Sequence, residues 1–258
     1  MKSEELRVLD ERRALSVSNC RSTFCSHVPS TVELMRRIVL ALPALWASLA
    51  ANSQPVQAQD LKTPPDWRWR LDRPAQLVTG EVVPDSAWRF VGMPPGWHIT
   101  TGPGVVLYHP AERATGRYSL SADFILFPNP SDNHFGLVLG GADLSSATAD
   151  HLAVQLRRDG AVRIAASRGG AETVLAPWRV HTAIRVHPGT GVITNRLRVA
   201  VAPDSLRVFV NDSAVVAVGR GGLVTDGQFG LQIGEKLNFH ITILDHIRHL
   251  APARGGRP

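Results

Sequence analysis

The feature that most constrains this chain is a two-residue alternation of apolar and polar side chains, which begins near residue 104. In YSLSADFIL, residues 118–126, every even position is apolar, while three of the odd positions are Ser or Asp. Successive side chains of a β-strand point to opposite faces of a sheet, so the pattern predicts a strand with one buried face. The predicted inward set is Tyr118, Leu120, Ala122, Phe124 and Leu126.

The same alternation recurs in short runs separated by turn signals. HFGLVLGG (134–141) is one run, and HLAVQLRRDGAVRIAAS (151–167) predicts two strands joined by a turn at 158–160. Further turns are predicted at 203–204 and 211–212, the latter an Asn-Asp pair that tolerates the positive φ of a tight hairpin. Alternating runs of this length with regular turns are typical of a β-sandwich. We therefore predict an all-β, two-sheet antiparallel jelly-roll sandwich over residues 88–250.

The two ends of this region have a different character. Residues 59–87 contain prolines and tryptophans that interrupt the alternation, and we expect them to form an N-terminal strap that lies against the sandwich. Residues 251–258, APARGGRP, are rich in Pro, Gly and Arg and are expected to be a disordered tail.

Residues 35–58 have the pattern of an export signal. An arginine pair precedes an apolar run, 38–51, and a polar stretch then ends in Val56-Gln57-Ala58. The small side chains of Val56 and Ala58 suit the pocket of signal peptidase. We therefore expect cleavage after Ala58 and a periplasmic or extracellular mature chain. The apolar run is also shorter than the roughly 20 residues that a spanning helix needs, so no membrane span is expected once the signal is removed.

The 34 residues before this signal carry mixed charge and no sustained periodicity. We expect residues 1–34 to be a disordered extension that results from a mis-assigned upstream start codon, with translation beginning at Met35. A long n-region of the signal peptide is the alternative.

Cysteine content and charge narrow the class of protein. Both cysteines, Cys20 and Cys25, precede Ala58, so the mature chain would rely on its core without disulfides. Residues 1–58 hold seven of the 28 basic and five of the 22 acidic residues, which leaves 21 basic, 17 acidic and a formal charge of +4. The basic residues are scattered, whereas nucleic-acid-binding proteins concentrate them on one face, so we expect no nucleic-acid partner.

The order of these segments resembles the concanavalin A-like lectin/glucanase jelly rolls. More narrowly, it is similar to bacterial exported 3-keto-disaccharide hydrolase-like domains, which are related to family-16 glycoside hydrolases. The similarity covers about residues 88–245 and implies a jelly-roll fold with a sugar-related ligand. It is carried by GWHITTGPGVVLYHP, GRYSLSADFILFP, HFGLVLGG, LAVQLRRDGAVRIA, NRLRVAVAPDSLRVFVND and GQFGLQIG.

The catalytic signature of the resembling glucanases is absent from the sequence. Those enzymes carry Glu-x-Asp-x-(x)-Glu on one strand, because a retaining pair of carboxyl groups must lie roughly 5–5.5 Å apart. The sequence after residue 58 has only four glutamates, none near another: Glu81, Glu112, Glu172 and Glu235. The sequence therefore leaves any catalytic residues unknown: carboxylates of different strands could still meet, and Asp123 on the polar face of its strand is the most suggestive of them.

Metal-binding patterns are equally sparse. Asp132, Asn133 and His134 could serve calcium or form a plain Asp/Asn turn, and His246 and His249 lack the context of a zinc site. We expect no metal site and no cofactor, with calcium as the open alternative.

Sugar recognition combines aromatic surfaces with planar polar groups, so outward positions of neighbouring strands are the candidate ligand contacts. Arg and Gln offer forked hydrogen bonds to adjacent hydroxyl groups, and a tryptophan can stack on a sugar ring. The alternative is that the arginine is solvated or paired with a carboxylate and that Trp97 and Trp178 belong to the core. The predicted ligand-binding residues are Asp123, His134, Gln155, Arg157, Trp178 and Gln232.

The leading functional hypothesis is an exported carbohydrate-binding, lectin-like domain without a catalytic motif. The first alternative is a glycoside hydrolase of the 3-keto-disaccharide type, which a cluster of acids and histidines in one groove would favour. The second is a laminin-G-like protein-interaction module, which a flat apolar patch would favour.

Overall fold

A computed structural model describes residues 61–249, and these residues form two β-sheets without a helix. The predicted extension 1–34, signal peptide 35–58 and tail 251–258 lie outside the described residues. Among residues 61–249, there is no helix of the length and hydropathy needed to span a bilayer.

Fifteen strands make up the described chain, and most of them are short. They are β1 Arg68–Leu71, β2 Gln76–Val78, β3 Ala87–Gly92, β4 Trp97–Thr101, β5 Val105–Ala114, β6 Tyr118–Leu126, β7 Phe135–Gly141, β8 His151–Leu156, β9 Ala161–Arg168, β10 Ala171–Val180, β11 Ile193–Val201, β12 Ser205–Val210, β13 Ser213–Gly219, β14 Gly227–Ile233 and β15 Asn238–Arg248.

The strands divide into a seven-stranded sheet, ordered β1-β5-β14-β7-β8-β9-β10, and an eight-stranded sheet, ordered β13-β12-β11-β6-β15-β4-β3-β2. All neighbours are antiparallel except β2 and β3. The segment 59–87 contributes β1 and β2, which are the edge strands of the two sheets. The all-β, two-sheet jelly-roll prediction is confirmed.

The core lies between the two sheets and is built from the inward set that the alternation predicts. Every member of that set on β6 is at most 3% exposed, and Phe135, Leu137 and Leu139 of β7 face it from the other sheet. Interdigitating aliphatic and aromatic side chains of two inner faces are the normal core of a sandwich. The hairpin prediction at 211–212 also holds, because Asn211 and Asp212 have φ of 49° and 67°.

One half of the outer face of the seven-stranded sheet is covered by its own loop. Residues 142–150 bring Leu144 onto Val106, Tyr108, Val138 and Ala153, and all five side chains are buried. The other half of this face carries polar side chains, and most of the predicted ligand-binding residues lie there.

Candidate functional site

The candidate site is the uncovered half of that outer face, which we call the polar face. It is defined by His134, Gln155, Arg157, Arg163, Trp178 and Gln232.

Strand register places a row of four residues across the polar face. Gln232 of β14 pairs with Gly136 of β7, Gly136 pairs with Gln155 of β8, and Gln155 pairs with Arg163 of β9. The row therefore runs perpendicular to the strands, with side chains on the same side of the sheet.

Gly136 lets the two glutamine side chains meet. A Cβ at this position would overlap the carbonyl oxygen of Val154, so no other residue fits here without a backbone shift. Across the gap, the Nε2 of Gln155 donates a hydrogen bond of 3.2 Å to the Oε1 of Gln232. The result is a hydrogen-bonded pair of amide groups, of which Gln155 is buried and Gln232 is half-buried and open to a ligand.

Gln155 holds a polar atom that the protein itself does not satisfy. Its side chain is only 1% exposed, and Oε1 has no hydrogen-bond partner among the described residues. An unpaired buried acceptor costs about 1–3 kcal/mol, so such groups are uncommon unless they serve a ligand or a bound water.

An indole flanked by arginines borders the amide pair. The guanidinium of Arg157 lies 4.7 Å from the ring centroid of Trp178, and that of Arg163 lies 5.8 Å away. Arg157 also forms an ion pair with Asp159, and Arg163 forms one with Glu172. The carboxylates hold the arginines in place, and Trp178 is half-buried.

His134 completes the set at the end of the loop before β7. Its ring centroid is 6.4 Å from that of Trp178. Burial, together with the positive charge of Arg163, lowers its pKa below the ordinary value. The imidazole is therefore neutral at neutral pH and presents one donor and one acceptor.

Asp123 does not belong to this site, and its assignment to the same groove is corrected. It lies on β6 in the eight-stranded sheet, where it pairs with Arg196 of β11. Arg196 donates to its two oxygens over 2.6 and 2.7 Å, a bidentate ion pair. Alternation along β6 correctly put Asp123 on an outer face, but it could not tell which sheet that face belongs to.

A second concave region, which we call the edge cavity, lies where the two sheets separate beside β5 and β15. Its volume is about 420 Å³, which is in the range of small-molecule sites. It is lined by Trp67, Trp97, His109, Glu112, Phe229, Leu244, Asp245 and His246.

Backbone irregularities open this cavity. On β5, residues 109–112 lie opposite the single residue Phe229 of β14, because the register jumps from Tyr108–Gly230 to Arg113–Gln228. On the facing sheet, the register of β15 also shifts between Ile241 and Leu244. Bulges bend strands and are frequent beside functional sites.

Two further backbone features position the tryptophans of the edge cavity. Asp66, with φ of 63°, turns the chain just before Trp67. Gly96, with φ of 104°, packs so tightly on the Ile241 carbonyl that a Cβ would overlap it, and Trp97 follows directly. Trp97 is thus half-buried: it packs against the core and also lines the cavity.

The sequence did not indicate the edge cavity. Its residues come from five separate segments, and the bulges that bring them together leave no distinctive pattern. The only signals were the irregular HPAERA segment, 109–114, which interrupts the alternation of β5, and the tryptophans of the strap.

The segment considered for calcium is engaged with the backbone. The Nδ2 of Asn133 donates to the Glu235 carbonyl over 2.9 Å, and the hydroxyl of Ser131 donates to the same oxygen. Within residues 61–249, no group of three His, Cys, Asp or Glu side chains is arranged to hold a metal ion. His249 contacts the hydroxyl of Ser119 at 2.8 Å, while His246 packs against Tyr118 and Phe229.

Comparison with known proteins gives a fold and no family. No protein-family profile matches the sequence, and no curated protein matches it. Among solved structures, the carbohydrate-binding module CBM66 from Bacillus subtilis superposes with a TM-score of 0.51 at 10% identity. That match covers 68% of this chain and all of the module.

A second similar structure is the exoplasmic/lumenal domain of VIP36 in its Ca²⁺- and mannose-bound form. It has a TM-score of 0.50 and 13% identity, over 74% of this chain and 86% of that domain. At such low identity the likeness concerns the fold alone. The described chain therefore has the lectin-like jelly-roll fold of the concanavalin A type.

Proposed function

We propose that this protein is an exported carbohydrate-binding domain whose ligand lies on the polar face. The observation that carries the proposal is the row formed by Gln155, Gln232 and Arg163, with Trp178 beside it. Amide and guanidinium groups form directed hydrogen bonds with hydroxyl groups, and an aromatic ring supplies an apolar surface for a sugar ring.

The unsatisfied oxygen of Gln155 supports a polar ligand in particular. Oε1 is buried, so a sugar hydroxyl would reach it only after a shift of the Gln155 side chain. A hydroxyl that then donated to it would relieve the cost of the unpaired acceptor, and an apolar ligand would not. The similar structures add support at the level of the fold, since one is a carbohydrate-binding module and another carries mannose.

Export forms part of the proposal. The signal at 35–58, with cleavage after Ala58, would deliver the domain to the periplasm or the extracellular space. There it would meet glycans that lie outside the cytoplasm.

Binding is favoured over hydrolysis of a 3-keto-disaccharide or a related glycoside. The two carboxylates nearest the arginines of the polar face, Asp159 and Glu172, are both engaged in ion pairs. A retaining hydrolase requires two carboxyl groups that flank the scissile bond as acid and nucleophile. The hydrolase remains the alternative function, and a laminin-G-like protein-interaction module is the second alternative.

A thermal-shift screen tests these proposals. The chain from Gln59 to Pro258, a compact unit of its own, would be screened with disaccharides, 3-keto-disaccharides and oligosaccharides, with and without calcium. A ligand at 100 times its Kd stabilises a protein by about 2.7 kcal/mol. A shift without cleavage by mass spectrometry supports binding, and a shift with product supports the hydrolase. No shift with any sugar contradicts both, and protein partners would then be sought.

A further inference from the structure

We propose that the edge cavity binds an aliphatic ammonium group. This inference goes beyond the proposed function, because it concerns a different site on the other side of the seven-stranded sheet from the polar face. It depends on three properties of the lining: aromatic rings, local negative charge and a concave shape that is open to solvent on one side.

Aromatic rings make up most of the cavity lining and fall into two contact groups. The rings of Trp67 and Trp97 meet edge to face at 5.0 Å, and His109 adjoins Trp67 at 6.4 Å. In the second group, Phe229 and His246 have ring centroids 5.2 Å apart. Rings held at steep angles to one another present π-faces in several directions, which is the arrangement that recognises a quaternary or primary ammonium group.

The charge of the lining is negative in a basic protein. Glu112 and Asp245 are the charged members, and the eight described lining residues include no lysine or arginine. Residues 59–258 carry a formal charge of +4, so the cavity has the opposite sign to the whole domain. Two carboxylates beside aromatic rings favour a cation and disfavour an anion or a neutral molecule of the same shape.

The cavity is layered from mouth to floor. Glu112 and Asp245 are exposed, and Phe229 is only 3% exposed. A ligand would therefore place its ammonium group between the acids and the indoles, with its apolar flank against Phe229 and Leu244. The volume of about 420 Å³ accepts a trimethylammonium head or one amino sugar.

A pair of isosteric probes tests the charge requirement. Choline and its neutral analogue 3,3-dimethylbutan-1-ol would be titrated against residues 59–258, with tryptophan fluorescence and calorimetry as readouts. We expect saturable choline binding that is at least about tenfold tighter than that of the neutral analogue, in line with a desolvated cation–π contact. Equal binding of the two probes, or no saturable binding of choline, would overturn the proposal.

Glucosamine and glucose distinguish the possible source of the ammonium group. Tighter binding of glucosamine than of glucose supports the proposal and assigns the group to an amino sugar. Choline binding without glucosamine binding supports it and assigns a simple amine. Equal binding of both sugars in this cavity would count against it.

Variants locate the binding and separate this site from the polar face. The double change Glu112→Gln and Asp245→Asn keeps side-chain shape and should weaken choline binding about tenfold, while Glu81→Gln, which removes an exposed acid elsewhere, should not. Trp97→Leu should weaken it as well. Gln155→Leu should leave choline binding unchanged, so failure of sugar binding and failure of this proposal are distinguishable. An unchanged affinity in the double variant would overturn the assignment.

Discussion

Replacement of Gln155 by leucine is expected to stabilise the protein while it abolishes sugar binding. The Gln155 side chain is 1% exposed, with an Oε1 that has no partner and an Nε2 that makes one hydrogen bond to Gln232. Leucine has a similar volume and carries no polar atom, so it can occupy the same space without the unsatisfied acceptor.

The magnitude follows from three contributions. Removal of the unpaired buried acceptor relieves about 1–3 kcal/mol, and loss of the hydrogen bond costs about 0.5–1.5 kcal/mol. Gln232 is half-buried, so water can satisfy its freed oxygen at little cost. The net expectation is a gain of about 1 kcal/mol, which raises Tm by about 2–4 °C for a domain of this size.

The assay compares Gln155→Leu with Gln232→Leu by thermal unfolding and by the sugar-induced shift in Tm. Both variants should lose the response to sugar, and only Gln155→Leu should gain stability, because Gln232 is not an unsatisfied buried group. A fall in Tm for Gln155→Leu would refute the reasoning about its oxygen. A rise in Tm with an unchanged sugar response would refute its role in the site.

Three further outcomes are expected. Asp123→Asn should leave sugar binding unchanged, because Asp123 lies on the other sheet; a lost sugar response would restore it to the site. It should cost about 1 kcal/mol in denaturant unfolding, because its ion pair with Arg196 is only partly exposed, with the two side chains 15% and 50% exposed. Burial, the nearby Arg89 and His240 lower the pKa of His98 to about 4, so the unfolded chain binds more protons between pH 4 and 6.5. The free energy of unfolding should therefore fall on acidification through that window, by up to about 1.4 kcal/mol per pH unit for this group. His98→Asn should reduce the difference in unfolding free energy between pH 7 and pH 5, measured by urea titration at each pH. Gly96→Ala should destabilise the domain by more than Gly116→Ala, since both have positive φ but only Gly96 lies against a backbone carbonyl; equal losses in Tm would contradict the packing argument.

The sandwich could be predicted from the sequence because alternation is a local property of each strand. Tyr118, Leu120 and Phe124 all face the core because alternate residues of a strand point to the same side of the sheet. The Asn211-Asp212 turn forms because these residues tolerate positive φ. Five predicted ligand contacts meet on the polar face because their strands are neighbours in one sheet.

The remaining features depend on relations between distant segments. Asp123 has the same local pattern as Gln155, and only the strand order places the two on different sheets. The edge cavity depends on bulges at 109–112 and in β15, which arise from the pairing of whole strands. Arg163 was missed although the predicted hairpin with its turn at 158–160 already pairs it with Gln155 and alternation puts it on the outer face.

The most direct test of sugar binding on the polar face is a map of amide chemical-shift changes on titration of residues 59–258 with the sugar that gives the largest thermal shift. We expect saturable changes that cluster at Gly136, Gln155, Arg163 and Gln232, with none along the Asp123–Arg196 pair of the opposite sheet. Changes centred on that opposite sheet, or no saturable change with any sugar in the panel, would contradict it.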